Sequence, residues 1–171
     1  RLAGLRAHAR WLKDFCAELP GQRCGLPQIV LNDIDEAIAD VRWAADNGFT
    51  SVMIPHVPPD SDLDHYFTGT YDPLWAVCEE LEMVLTQHGG TGVPNYKGNP
   101  ATPFLLLMEV PFYAQKSMWH LILSGVFERF PKLKYVMTEQ GVSWVKPTLD
   151  RMDTFWNQMV NTGRVGELGM T

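Results

Sequence analysis

Three side chains in this sequence are suited to metal or proton chemistry and share one kind of position: His56, His88 and Glu139 each end a short apolar run. Imidazole is the commonest metal ligand and the usual general acid or base near neutral pH. His88 stands out because Gly89 and Gly90 follow it, and glycine lets a ligand or a second backbone approach closely. Glu139 follows Tyr135-Val136-Met137-Thr138 and precedes Gln140-Gly141. A carboxylate there can hold a ligand, exchange a proton, or simply pair with a nearby Arg or Lys. The plainer alternatives are that His88 bonds its own loop and that His56 serves loop structure. His8 and His120 fall in helical patterns and read as packing or surface residues. His65, among Asp60, Asp62 and Asp64, reads as part of a solvated loop.

The elements around these residues follow the grammar of a parallel α/β fold. Residues 2–19 read as a helix with Leu5, Leu12, Phe15 and Cys16 on one side, stopped by Pro20-Gly21. Residues 24–31 read as a strand, with Pro27 making it an edge or bulged one. Asn32 or Asp33 caps the next helix, and Glu36 completes a capping-box spacing from Asp33. Ile34, Ala37, Ile38, Val41, Ala44 and Ala45 form its stripe, with Gly48 placed as a C-terminal cap. Residues 49–55 form a second strand ending at His56. A Pro- and Asp-rich loop, 57–71, follows; loops of that length are usually functional or disordered. Asp72 is placed as the cap of the third helix, with Pro73 at its first position.

Residues 83–87 form a third strand ending at His88, followed by a Gly/Pro/Asn loop, 91–103. The apolar stretch 104–110 leads into a helix with Met118, Leu121, Ile122, Gly125, Val126 and Phe130 on one face. Pro131 ends that helix, because it lacks the N–H and its ring clashes with the previous turn. Tyr135 to Thr138 is a fourth strand, ending at Glu139, and residues 143–161 form the last helix. Four βα units in succession imply one parallel sheet with helices outside, and in such folds ligands gather at the C-terminal strand ends. Trp75, Trp119, Trp144 and Trp156 read first as helix-packing aromatics.

Composition excludes several classes. The 171 residues, 46% hydrophobic and 20% charged, suffice for one globular domain. A net charge of −6 argues against a general nucleic-acid binder. No apolar run reaches membrane-span length, and residues 1–10 carry no signal-peptide core. Three cysteines, Cys16, Cys24 and Cys78, with no CxxC spacing, read as reduced thiols, and cytoplasmic location is the default expectation. No GxGxxG, GxxxxGK[ST] or GxSxG occurs, which disfavours a phosphate-binding or nucleophile-elbow enzyme. The start without Met and the Gly163, Gly166, Gly169 tail lead us to expect a chain cut at both ends.

Residues 125–153, GVFERFPKLKYVMTEQGVSWVKPTLDRMD, resemble a characteristic block of the amidohydrolase-related (amidohydrolase 2) family, which includes aminocarboxymuconate semialdehyde decarboxylase and related metal-dependent hydrolases and decarboxylases. NGFTSVMIP (47–55), YDPLWAVCEELEMVLTQHGG (71–90) and WLKDFCAELPGQRCGL (11–26) are similar to family stretches in the same order. The resemblance implies a (β/α)₈ TIM barrel with a divalent metal, usually zinc, at its C-terminal face. Its ligands come from an HxH on the first strand, a His on the fifth and an Asp on the eighth, and a sixth-strand His commonly serves as acid or base.

By that resemblance residues 1–171 are the central part of one barrel domain, about four consecutive βα units, roughly strands three to six. His88 takes the place of the fifth-strand metal ligand. Glu139 stands where the sixth-strand His is usual and becomes the catalytic candidate. His56 and Trp144 are the substrate-binding candidates. No HxH and no last-strand Asp occur here, and a full barrel runs to about 250 residues. The expected function is a metal-dependent hydrolase or decarboxylase acting on a small carboxylate- or amide-type substrate. The alternative is a metal-free, non-catalytic barrel fragment or oligomerisation module. The expected partners are a small-molecule substrate and a second copy of the chain, with neither nucleic acid nor membrane. A half-barrel has two open edges, so the segment alone is expected to be either poorly stable or covered by something else.

Overall fold

A computed structural model describes residues 2–90 and 92–164. Thr91 and the glycine tail from Gly166 onward lie outside the described residues. The chain alternates helices with short parallel strands: α1 (Leu2–Ala17), α2 (Ile34–Asp46), β1 (Ser51–Met53), α3 (Asp72–Glu80), β2 (Val84–His88), α4 (Thr102–Leu123), α5 (Val126–Arg129), β3 (Lys134–Thr138) and α6 (Val145–Asn161). No described helix is long and apolar enough to cross a membrane.

Local chemistry sets the boundaries. The Asp33 carboxylate accepts the Glu36 N–H at 3.1 Å and starts α2. Gly48, at φ +82°, follows the last turn where a left-handed residue is needed. Asp72 is not the cap of α3: Tyr71 is, and Asp72 is the first helical residue. Its carboxylate instead takes both arms of Arg129, at 2.9 and 3.0 Å, and so ties α3 to α5. The helix expected to run into Pro131 is two helices. It breaks at Ser124-Gly125, where Gly125 turns left-handed at φ +69°. Upstream, α4 absorbs the apolar stretch 104–110 and tolerates Pro111 in its interior.

β1, β2 and β3 form one parallel sheet in that order. Val52 lies beside Leu85, Leu85 beside Tyr135, and His88 beside Thr138. The strand expected over 24–31 is reduced to one parallel bridge, Gln28 to Met53. Pro27 explains this: it has no N–H to donate, so its carbonyl accepts from Met53 at 2.8 Å and only Ile29 returns a bond, at 3.0 Å.

The core lies between sheet and helices. Val52 and Leu85 are fully buried against Ala37, Val41 and Ala44 of α2 and Leu74, Trp75 and Cys78 of α3. Tyr66, Tyr71 and Trp75 close its C-terminal end as a mutual triad with ring centroids 5.2–5.8 Å apart. Such contacts add about 0.5–1.5 kcal/mol per pair beyond burial. All three cysteines are free, with Cys78 buried, Cys16 half-buried and Cys24 exposed.

Candidate functional site

The register of β2 and β3 brings His88 and Glu139 together. The strands stay paired one step past their ends, with the Gly89 N–H donating to the Thr138 carbonyl at 3.2 Å. Glu139 then turns left-handed, at φ +58°. For a non-glycine residue that conformation costs about 1–2 kcal/mol. The turn sets its carboxylate 3.0 Å from His88 Nε2, with the two side chains 52% and 76% exposed. An ion pair so open to water contributes at most about 1 kcal/mol. Stability therefore does not account for the strained backbone, and strain of this kind clusters at functional sites.

The proton inventory of the pair is informative. His88 Nδ1 lies 2.7 Å from the Gly89 carbonyl oxygen. A carbonyl can only accept, so Nδ1 carries the proton. In the neutral ring Nε2 then presents a lone pair, and it faces a carboxylate that also lacks a proton. A shared proton or a cation completes the arrangement. Carbonyl anchoring of the far nitrogen is how metal-ligating histidines are commonly oriented.

His56 is placed differently. Only 4% of it is exposed. Its Nε2 lies 2.9 Å from the His88 carbonyl oxygen and its Nδ1 3.2 Å from Ser117 Oγ on α4. Both polar atoms are used inside the protein, so its ring nitrogens are not free to bond a substrate. Burial pushes its pKa down to about 4. The histidine is thus neutral when folded, yet takes a proton below about 6.5 when unfolded. Its contribution is complete above pH 6.5 and is lost as pH falls through 4, about 3 kcal/mol in all. His120, lowered to about 4 by burial, adds to the same trend. The urea midpoint is expected to fall steeply between pH 7 and pH 4, and less so in His56→Gln; a flat profile would contradict the buried neutral state.

Trp144 is half-buried at the start of α6, and its indole N–H donates to the Gln140 carbonyl at 2.8 Å. It closes the turn after Glu139 and is not among the residues lining the cavity beside His88. The Gln140 side chain was not anticipated: its amide nitrogen and oxygen are both buried with no partner among the described residues. Nothing local in the sequence separates this glutamine from an exposed one. His65 departs from the solvated-loop reading. Its ring lies 5.8 Å from Phe67 and meets the edge of His120 at 5.4 Å, which pins the 57–71 loop to α4.

A cavity of about 690 Å³ opens at the C-terminal ends of β1 and β2, lined by Gln28, Asn32, Met53, His56, His88 and Gly92 among others. Its size suits a small molecule. The two long loops meet beside it, where the Asn95 N–H donates to Asp60 at 3.3 Å. A second cavity, about 250 Å³ between α1 and α2, contains none of the four candidate residues. Among the described residues no group of three or more His, Cys, Asp or Glu could hold a metal. His88 Nε2 fits as one imidazole donor of a larger set, with the Glu139 carboxylate 3.0 Å from it and open to solvent.

Comparison with known proteins bears on the family and the fold. A sequence model of the amidohydrolase family matches residues 2–167. The decarboxylase orsB of Emericella nidulans is 25% identical over 130 residues, covering 67% of this chain and 37% of that protein. Among solved structures, the amidohydrolase map2389c of Mycobacterium avium subsp. paratuberculosis superposes with a TM-score of 0.73 at 22% identity, over 94% of this chain and 43% of that one. The 5-carboxyvanillate decarboxylase LigW of Sphingomonas paucimobilis gives a TM-score of 0.75 at 21% identity, over 93% and 47%. The chain thus spans less than half the length of these relatives. The fold is α/β, part of a TIM barrel of about four βα units, the first strand of which is reduced to its single bridge. The chain belongs to the amidohydrolase family.

Proposed function

We propose that this chain carries the central part of the active site of a metal-dependent hydrolase or decarboxylase acting on a small carboxylate- or amide-type substrate. The observation that carries the reading is the His88–Glu139 pair, 3.0 Å apart at adjacent strand ends. The named activities of the relatives, decarboxylases in orsB and LigW and an amidohydrolase in map2389c, support both reaction types.

His88 would hold the metal through Nε2, its Nδ1 proton kept on the Gly89 carbonyl. Other ligands would come from outside the described residues. A divalent cation, zinc by the family's habit, would supply Lewis acidity and bring a bound water's pKa toward 7. Glu139 exchanges the proton at the reacting centre from its open position beside His88. The tied loops, 57–71 and 92–101, limit which substrates reach the cavity. The competing reading, a metal-free oligomerisation module, is favoured by Phe104, Leu107 and Met108, which stand 73–80% exposed on α4. Chelator dialysis decides between them. Under our reading it abolishes turnover of small carboxylates or amides, divalent metal restores it, and carbon dioxide release separates decarboxylation from hydrolysis. Turnover that survives metal removal would refute the reading.

A further inference from the structure

The last backbone bond from the β1 edge to β2 runs from the Ile54 N–H to the Thr86 carbonyl, at 2.9 Å. In a parallel ladder the next rung would fall two residues on, between the His56 N–H and the His88 carbonyl. There the His56 side chain replaces the backbone, and its Nε2 meets the His88 oxygen at 2.9 Å. Since that oxygen only accepts, Nε2 carries the proton and Nδ1 accepts from the Ser117 hydroxyl at 3.2 Å. Ser117 is itself 4% exposed. Gly92 packs against the base of the His56 side chain. A Cβ at Gly92 would stand 2.3 Å from His56 Cβ, and φ there is +80°.

The bracket continues inward. The Tyr135 phenol of β3 donates to Gln87 Oε1. Fully buried Gln87 donates from Nε2 to the Pro55 carbonyl at 2.7 Å, next to His56 in sequence. Buried polar groups thus fix the segment that carries His56, Ser117 on its ring and Gln87 on the Pro55 carbonyl before it, and His56 in turn holds the His88 carbonyl. The next peptide, Gly89–Gly90, carries the carbonyl oxygen that meets His88 Nδ1, one unit beyond the carbonyl that His56 holds.

We propose that His56 is a positioning residue for His88: held by Ser117 and Gly92, it locks the His88 carbonyl and thereby aims the Nε2 lone pair of His88. This deepens the metal-site reading above and rests on it. A histidine that only filled the core would need no particular partner at the site, whereas a positioning residue must be replaceable by a group with the same hydrogen bonds.

The test is Co²⁺ titration of the protein as expressed, followed by visible absorption, for wild type, His56→Phe, His56→Gln and Ser117→Ala. Loss of groups that orient a metal ligand typically weakens affinity 10–100-fold. His56→Phe is expected to raise the Co²⁺ Kd by about that factor, Ser117→Ala by less, and His56→Gln to recover most of the loss. A folded His56→Phe variant with wild-type Kd would overturn the proposal. If that variant does not fold, an unchanged Kd in Ser117→Ala does the same. Absence of Co²⁺ binding in wild type would remove the metal reading alone. Positioning is then read from ¹⁵N shifts of the His88 ring. The Nδ1–H form is expected in wild type and its loss in Ser117→Ala, while an unchanged tautomer would overturn the proposal.

Discussion

Replacing His88 by alanine is expected to lower kcat/KM by at least about a thousandfold, since metal polarisation is worth several kcal/mol at the transition state. Folding should scarcely register the change. The His88 side chain is 52% exposed and its partner Glu139 76% exposed, so truncation opens no cavity and strands no buried charge. The strand pairing around it rests on backbone bonds, such as Gly89 N–H to Thr138 O at 3.2 Å. Activity measured beside a thermal melt separates the two effects. An equally large loss of stability would mean His88 is structural, and retained activity would remove it from the site.

The second large effect concerns Glu139. Glu139→Gln keeps shape and hydrogen bonding but cannot take a proton, and proton transfer by a positioned side chain is worth about 10²–10⁴-fold. We expect kcat to fall in that range with KM little changed and metal retained. Loss of metal in the same variant would reassign Glu139 as a ligand. The backbone adds an independent check. Glu139 sits at φ +58°, a conformation glycine adopts without the side-chain penalty. Glu139→Gly should therefore raise stability by about 1 kcal/mol while abolishing turnover. Residues retained at a cost to stability are what an active site requires. A destabilised glycine variant would show that the carboxylate supports the fold instead.

Much of the frame could be read in advance because its signals are local. Asp33 and Glu36 define a cap three residues apart, and the structure closes it at 3.1 Å. Gly48 marks a helix end and turns left-handed there. His88 and Glu139 end runs of apolar residues, and parallel pairing makes neighbours of strand ends 51 residues apart. What escaped the sequence is long-range. His56 looked like loop structure or a substrate contact, and its partner Ser117 lies 61 positions away on another element. His65 looked solvated amid three aspartates, yet it packs on Phe67 and His120. The strand at 24–31 had the right apolar content, but the missing N–H of Pro27 left it one bridge. The helix before Pro131 broke six residues early because Gly125 took a conformation that continuous helical spacing does not reveal.

The most direct measurement is metal stoichiometry by elemental analysis of the protein as expressed, paired with its His88→Ala variant. We predict about one divalent ion per chain in wild type, zinc foremost, and none in the variant. Wild-type protein without metal, or a variant that keeps a full equivalent, would contradict the assignment of His88 as the ligand around which this site is built.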